Sequence, residues 1–261
     1  MTAVSLRDRV LNGEKVYGTL VASISPKWPD VIKTLDLDFV FLDTEHIAID
    51  RERLSWMCQT YKAMGLNPIV RIPAPDPHQA NMVLDGGACG VVAPYVESPR
   101  QVRDLIGAVR LSPVKGHLLR DMLDSLGDLS AWGPSLPDYL LKRNSDRLAI
   151  VNIESIAALD ALDEILAVPS LDAVLIGPHD LSCSLGIPEQ YDHPLYEEAV
   201  HTVIQKAKAA QVGAGIHNIG DMDELLKWGR AGANLLIHSG DTMVFARQMQ
   251  KELSSARCLL D

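Results

Sequence analysis

Short apolar runs recur along the whole sequence between stretches with helical spacing, and this alternation limits the folds that are open to the chain. Eight such runs, rich in Val, Ile and Leu, are predicted as strands: 16–21, 38–43, 68–72, 90–94, 148–154, 173–177, 212–216 and 234–238. Uninterrupted apolar runs of this length are typical of parallel strands that are buried on both faces. Their regular alternation with helices predicts an α/β fold with one parallel sheet.

The number of units and the chain length together favour a closed barrel. Eight strand-helix units in 261 residues match a (β/α)8 TIM barrel, which commonly takes ~250 residues. We therefore predict a single barrel domain over residues 1–261. A last helix is predicted over 242–253, with Asp241 as its N-cap. It carries an apolar stripe of Val244, Phe245, Met249 and Leu253.

Two segments depart from this regular alternation. Residues 111–147, after the fourth strand-helix unit, contain several Pro and Gly residues and only short helical fragments. A connection of this length in a compact domain is typical of an active-site lid or of a subunit contact. Residues 180–186, after the sixth strand, are predicted as a loop.

The composition argues against several classes of partner. A net charge of −10 and a pI of about 5.2 disfavour nucleic acid and anionic membranes. No apolar run approaches the ~20 residues of a membrane helix, and the first residues lack the apolar centre of an export signal. The cysteines form no C-x-x-C pair. We therefore expect a cytoplasmic protein with reduced thiols.

Two carboxylates follow the fifth and sixth strands directly, where packing cannot explain them. Glu154 ends one apolar run, and Asp180 follows the next. Because neighbouring parallel strands end at the same edge of the sheet, both carboxylates could face one point, at the edge where α/β folds bind ligands. Two hard oxygen ligands, completed by water and substrate, suit Mg²⁺ or Mn²⁺. The alternative is a pair of helix N-caps or solvated loop acids.

Other polar side chains collect at the same edge of the predicted barrel. We expect Arg71, together with the metal, to stabilise negative charge on a carbonyl oxygen. We expect His46, oriented by Asp43, to transfer a proton. Taken alone, His46 could be structural, and Arg71 could only pair with a barrel carboxylate. His179 and His217 are predicted only to line the pocket. The remaining polar residues at this edge are Glu45, Asn152, Asn218, His238 and Ser239.

Four blocks of these residues resemble the HpcH/HpaI family of class II pyruvate aldolases, which includes 4-hydroxy-2-oxoheptanedioate and 2-keto-3-deoxy sugar acid aldolases. The blocks are L-D-T-E-H at 42–46, V-R at 70–71, N-I-E-S at 152–155 and I-G-P-H-D-L-S at 176–182. They occur in the family's order, and the resemblance extends from about residue 13 to residue 253.

The resemblance implies roles for these residues and an assembly. A divalent metal (Mg²⁺, Mn²⁺ or Co²⁺) would bind Glu154 and Asp180, and Arg71 would bind the 2-oxo acid. Asp43 and His46 would form a pair beside the reacting bond. Substrate contacts would also come from Asn152, Gly177, Pro178 and His179. The resemblance further implies a homotrimer or homohexamer in which neighbouring subunits exchange the last helix.

Two positions depart from the family pattern. Asn152 stands where family members commonly have Gln, so this substrate-side amide is one methylene shorter. The segment G-H-L-L-R at 116–120 replaces the usual G-x-R-G run. The pyruvate-enolate half of the chemistry is therefore better supported than any particular aldehyde.

The predicted function is the reversible, metal-dependent cleavage of a 4-hydroxy-2-oxo acid to pyruvate and an aldehyde through an enolate. A citrate-synthase-like condensation or an oxaloacetate decarboxylation could use the same enolate. A non-catalytic barrel that binds a 2-oxo acid is disfavoured, because a binding module needs no base such as His46. A phosphate site at 239–241 ranks last, since Asp241 would repel phosphate.

Overall fold

The computed structural model describes residues 4–260, which contain a closed barrel of eight parallel strands. Each strand pairs with the next one in the sequence, and the last pairs with the first. The strands are β1 (Val16–Leu20), β2 (Phe39–Asp43), β3 (Asn67–Arg71), β4 (Gly90–Ala93), β5 (Leu148–Ile153), β6 (Ala173–Ile176), β7 (Gly213–Asn218) and β8 (Leu235–Gly240). The predicted (β/α)8 barrel is confirmed.

Helices connect the strands and cover the outside of the barrel, and several begin at a capping residue that the sequence supplies. Ser5, Asp50 and Asp76 each accept a hydrogen bond from a backbone N–H in the first turn that follows. The helices are α1 (Leu6–Leu11), α2 (Trp28–Ile32), α3 (Arg51–Ala63), α4 (Pro77–Asp85), α5 (Pro99–Arg110), α6 (Gly116–Asp124), α7 (Ser135–Asn144), α8 (Ile156–Asp160), α9 (Leu162–Leu166), α10 (Pro178–Ser184), α11 (Pro194–Ala209), α12 (Met222–Ala231) and α13 (Asp241–Leu260).

The prediction of a loop at 180–186 is wrong, because the chain forms helix α10 there. Pro178 occupies the first turn, where its fixed φ suits a helix and its missing N–H costs no hydrogen bond. Asp180 therefore lies in the first turn of a helix that directly follows β6. The last helix is also longer than predicted, since α13 continues to Leu260.

Apolar side chains fill the barrel interior and the layer between strands and helices. Every residue of β2, β4, β5 and β6 is buried, as expected of strands that are covered on both faces. Phe39, Phe41, Ile69, Ile150 and Leu175 belong to the interior cluster. Because the interior is packed, a ligand has to bind at one end of the barrel.

At the amino end of the strands, a buried carboxylate joins three parts of the chain. Asp172, which precedes β6, is fully buried and contacts the guanidinium groups of Arg7 and Arg110. The distance from Arg7 Nε to Asp172 Oδ1 is 2.7 Å. Asp172 Oδ2 also accepts a hydrogen bond from the Ala149 N–H at 2.7 Å. The carboxylate therefore has two cationic partners and a backbone donor.

The insertion at 111–147 lies at this amino end. It contains α6, α7 and a small core around Leu111, Met122 and Leu140. It leads from α5 to β5, and a helix-to-strand connection lies at the end of the barrel where the strands begin. Hydrogen bonds from Arg110 to the Asn144 and Arg147 carbonyls hold it there. A lid over this protomer's own site at the opposite end therefore has no support, and a subunit contact stays a prediction.

Helix α13 leaves its apolar stripe in solvent. All of its described residues after Asp241 are exposed, and Phe245 is 61% exposed. An apolar groove of about 470 Å³ lies beside it on the barrel wall. Its apolar lining includes Leu35, Leu37, Leu225, Leu226 and Leu236. Between residues 4 and 260, no helix combines the length and the apolar character needed to span a membrane.

Candidate active site at the carboxyl end of the barrel

A cavity of about 160 Å³ opens at the carboxyl end of the barrel, and most of the predicted site residues line it. Those residues are His46, Arg71, Asn152, Gly177, Pro178, His179 and Asp180. Phe41, Leu175, Ile176, His217 and Ile219 complete the lining. The other two predicted residues do not line the cavity but accept hydrogen bonds from residues that do. Asp43 accepts from Arg71, and Glu154 accepts from Asn152.

Arg71 is held by two carboxylates that come from β2 and the loop after it. Its Nε donates to Asp43 Oδ1 at 2.9 Å, and its Nη2 donates to Asp43 Oδ2 at 2.8 Å. Glu45 Oε2 lies 3.1 Å from the same Nε. Asp43 and Arg71 face each other because they are register partners in β2 and β3. Among residues 4–260, Arg71 Nη1 has no hydrogen-bond partner, so it can donate to a substrate oxygen.

Burial and ion pairing act in opposite directions on this pair. Burial alone raises the pKa of Asp43, but the hydrogen bonds and charge of Arg71 outweigh it, and the net pKa is lowered. Burial likewise disfavours the Arg71 cation, whereas Asp43 and Glu45 raise its pKa above the ordinary value. Both groups are therefore charged at neutral pH.

His46 lies at the mouth of the cavity, where its side chain is 59% exposed and has Glu45 beside it. The distance from His46 Nε2 to Glu45 Oε1 is 3.7 Å. The Asp43 oxygens are occupied by Arg71 and by the backbone N–H of Glu45. No hydrogen bond joins Asp43 to His46 within residues 4–260, so the orientation of His46 by Asp43 stays a prediction. Asp43 orients Arg71, and Glu45 lies between the guanidinium and the imidazole.

Glu154 is buried, and each of its oxygens accepts one hydrogen bond. Oε1 accepts from the Tyr95 N–H at 2.7 Å, and Oε2 accepts from Asn152 Nδ2 at 2.7 Å. Burial raises the pKa of Glu154, and the nearby Asp180 and Glu45 carboxylates raise it further. The two hydrogen bonds lower it only in part, so the net pKa is raised. A cation beside Glu154 would relieve this repulsion.

Gly177 keeps open the space between the two predicted metal ligands. A Cβ at this position would lie 2.9 Å from Glu154 Oε2 and 3.7 Å from Asp180 Oδ2. The two carboxylates therefore border one space, and their oxygens suit a hard divalent cation. Within residues 4–260 no cluster of three or more His, Cys, Asp or Glu forms a metal site. Water and substrate oxygens would therefore have to supply the other ligands.

The amide of Asn152 has a defined orientation. Because Nδ2 donates to the Glu154 carboxylate, Oδ1 faces away from it. Oδ1 is buried and has no hydrogen-bond partner in the described part of the chain. Asn152 lines the cavity, and its Oδ1 is an acceptor that the described residues leave unsatisfied. His179, in contrast, lies at the rim, with its Nε2 3.9 Å from Cys183 Sγ.

Three residues contribute more to the site than the sequence predicted. Glu45 contacts Arg71, and His217 lies inside β7 because that strand continues beyond its predicted end at 216. Tyr95 follows β4 with a left-handed φ of 55° and donates its N–H to Glu154. Its phenol faces Glu45, which raises the Tyr95 pKa to about 12. The positions of the strand ends could have indicated that all three residues lie near the site. They could not have indicated which groups these residues contact.

The structure argues against the alternative of a phosphate site at 239–241. The Asp241 carboxylate accepts hydrogen bonds from the backbone N–H groups of Ala22, Ser23 and Thr242. It therefore already satisfies donors at the start of α13. A phosphate would have to displace this carboxylate.

The fold and the site define a class of protein: a (β/α)8 barrel enzyme with a pair of carboxylates and one fixed guanidinium at the carboxyl ends of its strands. Comparison with known families agrees with this class. Residues 17–243 match the family described as HpcH/HpaI aldolase/citrate lyase. The chain belongs to the HpcH/HpaI family.

Individual relatives cover nearly the whole chain. The 2-keto-3-deoxy-L-rhamnonate aldolase of Escherichia coli (strain K12) is 30% identical over 250 residues, 95% of this chain and 91% of the relative. The hydroxypyruvate/pyruvate aldolase of Roseovarius nubinhibens is 28% identical over 253 residues, 97% and 96% of the two chains. The solved structure of the citrate synthase SbnG matches with a TM-score of 0.82 and 28% identity, covering 97% of each chain. The predictions of the family and of a carbon–carbon lyase are confirmed.

Proposed function

We propose that this protein is a metal-dependent aldolase that reversibly cleaves a 4-hydroxy-2-oxo acid to pyruvate and an aldehyde. The observation that carries the proposal is that Arg71, held by Asp43 and Glu45, lines one cavity with Asp180, while the buried carboxylate of Glu154 borders the space at Gly177 on the other side from Asp180. The guanidinium suits a developing negative charge, and the carboxylates of Glu154 and Asp180 suit a cation. The aldolases among the relatives support the same reaction class.

Glu154 and Asp180 would hold the divalent cation, because Gly177 leaves the space between them open. When bound, such an ion polarises a carbonyl group as a Lewis acid. Hard oxygen ligands favour Mg²⁺ or Mn²⁺ first, and Co²⁺ is a third candidate.

Arg71 stabilises negative charge on the keto oxygen of the substrate as the enolate forms. Its Nη1 is available for this contact, while Asp43 and Glu45 hold the rest of the guanidinium. Because the donor is already in place, little reorganisation is needed when the charge develops. Asp43 is thus a positioning residue that acts through Arg71.

His46 moves the proton of the 4-hydroxyl group. In the cleavage direction it accepts this proton while the C3–C4 bond breaks and its electron pair enters the enolate. The aldehyde carbonyl forms at C4. The enolate takes up a proton from solvent at C3 to give pyruvate, and His46 releases its proton to solvent. In the condensation direction His46 returns the proton to the former aldehyde oxygen. The exposed position of His46 at the mouth of the cavity supports this role.

The proposed function is tested by pyruvate release from a panel of 4-hydroxy-2-oxo acids with Mg²⁺, Mn²⁺ or Co²⁺. We expect turnover with at least one metal and no turnover after treatment with a chelator. Full activity of chelator-treated protein without added metal would contradict the proposal.

A second candidate reaction uses the same enolate site with a different partner. The match to a citrate synthase structure at 28% identity supports testing this alternative. Oxaloacetate with and without acetyl-CoA separates the outcomes, because condensation consumes acetyl-CoA and decarboxylation does not. Binding of pyruvate without any turnover would instead favour a non-catalytic barrel.

We also propose that the protein forms a homotrimer or homohexamer in which α13 of one copy fills the apolar groove of another. In a (β/α)8 barrel the helix after β8 normally packs on the outer wall, yet here α13 leaves Phe245 and Leu253 in solvent. An exposed stripe beside an apolar groove is typical of an interaction surface. Phe245→Asp should give monomers in light scattering, whereas Lys251→Asp, off the stripe, should not. A Phe245→Asp oligomer of normal stability would contradict the exchange.

A further inference from the structure

His217 lies within the cavity beside the proposed reaction centre. Its ring packs against Phe41 in an edge-on contact, with the ring centroids 5.7 Å apart. The guanidinium carbon of Arg71 lies 5.8 Å from the centroid of the same phenyl ring. His217 and Arg71 therefore border one apolar surface of the cavity, and a substrate bound to Arg71 comes close to the imidazole.

The backbone determines which His217 nitrogen carries the hydrogen. Nε2 lies 3.1 Å from the carbonyl oxygen of Ser239. A carbonyl oxygen can only accept, so Nε2 donates, and Nδ1 of the neutral ring keeps its lone pair. Burial lowers the pKa of His217 to about 4, so the ring is neutral at neutral pH. No donor contacts Nδ1 among the described residues.

Strand β8, whose Ser239 carbonyl accepts the hydrogen bond from His217 Nε2, is distorted at Ser239. Ser239 has a φ of 54°, in the left-handed region that residues other than Gly rarely adopt. The pairing of β1 with β8 also slips here by one residue, from Gly18–Ile237 to Leu20–Gly240. A bulge of this kind re-aims backbone groups, and here the Ser239 carbonyl faces the imidazole.

The cavity offers hydrogen-bond acceptors but no second strong cation. Asn152 Oδ1 is a buried acceptor without a partner among the described residues, and the half-buried His217 has a second acceptor, Nδ1, without a protein donor there. Arg71 is the only Arg or Lys side chain among the described lining residues. A substrate hydroxyl can therefore donate to an acceptor that otherwise has no partner, whereas a second carboxylate would find no matching guanidinium or ammonium group.

We propose that His217 Nδ1 accepts a hydrogen bond from a substrate hydroxyl group and makes the enzyme selective for hydroxylated substrates over deoxygenated or carboxylated ones. The inference rests on the proposed aldolase function. The hydroxyl can belong to the aldehyde or to C3 of the 2-oxo acid, since both meet at the same reaction centre. His217 is a specificity-determining residue of this reaction.

The first test measures condensation rates with Mg²⁺ for matched substrates. Pyruvate with acetaldehyde is the reference, pyruvate with glycolaldehyde adds the hydroxyl on the aldehyde, and 3-hydroxypyruvate with acetaldehyde adds it on the oxo acid. Succinic semialdehyde with pyruvate supplies the carboxylated case. The quantity compared is the ratio of kcat/KM to that of the reference, which cancels effects shared by both pairs.

For His217→Leu, we expect this ratio to fall about tenfold for one hydroxylated pair, as the loss of one hydrogen bond implies. His217→Gln retains an acceptor and should keep part of the preference, which tests whether the lost nitrogen matters. Equal losses on every pair in both variants would overturn the selectivity role while leaving the aldolase function intact.

A spectroscopic test does not depend on turnover. In protein labelled with ¹⁵N-histidine, the His217 resonances are those missing from His217→Gln. We expect an unprotonated Nδ1 whose shift responds to the favoured hydroxylated compound in Mg²⁺-loaded protein, and not to its deoxy counterpart. A protonated Nδ1, or equal responses to both compounds, would overturn the inference. Inactivity of the wild type on every pair would instead contradict the proposed function.

Discussion

The two ends of the barrel differ in how far their buried carboxylates are compensated by cationic side chains. At the amino end, Asp172 is matched by two guanidinium groups, those of Arg7 and Arg110. At the carboxyl end, several carboxylates gather around Arg71, and Glu154 has no salt-bridge partner within residues 4–260. The matched end joins α1, α5 and β6, whereas the unmatched end borders the cavity.

This difference separates residues that stabilise the fold from residues that require a ligand. Because folding raises the pKa of Glu154, its ionised form costs stability above the unfolded pKa, and this cost is relieved as the pH falls through the folded pKa. A bound cation would remove the same cost at neutral pH. Substitutions at the amino end should therefore mainly lower stability, and substitutions at the carboxyl end should mainly lower activity.

The largest effect should come from Glu154→Gln. Loss of a charged ligand should lower aldol cleavage by roughly 10³-fold or more, since Lewis-acid stabilisation is worth several kcal/mol. The metal-free variant should melt at the same or a higher temperature than the wild type, because a repelled charge has gone. Cleavage assays and calorimetry check this, with the exposed Glu198→Gln as control. Retained activity would remove Glu154 from the metal site.

His46→Ala should lower cleavage by about 10²- to 10⁴-fold, as expected for loss of a proton-transfer group. It should retain more of the deuterium exchange at the methyl group of pyruvate, where no hydroxyl loses a proton. Both rates can be followed by NMR on the same sample. Equal losses would assign His46 to the enolate itself, and unchanged rates would make it a structural residue.

Asp172→Asn should mainly affect stability. Removing the charge leaves Arg7 and Arg110 poorly compensated at a buried position, which should lower the free energy of unfolding by about 3–5 kcal/mol. Denaturant titration measures this loss, and the activity per folded molecule should remain near that of the wild type. A large loss of activity with normal stability would show that the two ends are not separate.

Arg71→Lys keeps the positive charge but loses the planar fork that contacts Asp43. Cleavage and pyruvate exchange should both fall by about 10²- to 10³-fold, because the same developing charge loses a fixed donor. This parallel loss distinguishes Arg71 from His46. A variant that lost cleavage alone would contradict the role in enolate formation.

The smallest effect concerns metal affinity and pH. Because the pKa of Glu154 is raised, protons compete with a cation for this carboxylate at a higher pH than for an ordinary Glu. Mn²⁺ binding, measured by electron paramagnetic resonance, should weaken as the pH is lowered from neutrality through the raised pKa of Glu154. Affinity that stays constant while Glu154 takes up its proton would contradict a metal role for this residue.

The sequence predicted the barrel because buried parallel strands leave a strong local signal. The second strand, expected at 38–43, is Phe39–Asp43. The sequence does not reveal helix α10 because the helix has only seven residues and two of them are Ser, which favours caps and turns, although Pro178 marks its start. Local patterns thus located the strands well but missed a short helix beside the site.

For the site, strand ends indicated the end of the barrel where the predicted residues lie, but not which groups they contact. Asp43 and Glu45 are two residues apart, and only the register of β2 with β3 decides that Asp43 takes the two-point contact with Arg71. The environment of His217 depends on a bulge in β8 that leaves no clear pattern in the sequence. Cross-strand contacts of this kind are tertiary and cannot be read from local periodicity.

The missing side chain of Gly177 also offers a marker for the evolutionary loss of this chemistry. Even an alanine methyl group would lie 2.9 Å from Glu154 Oε2, closer than carbon and oxygen atoms normally approach. A homologue with any other residue at the equivalent position would have to move the end of the Glu154 side chain away from its place beside Asp180. Relatives with this substitution are therefore candidates for altered cation binding, even when every charged residue of the site is still present.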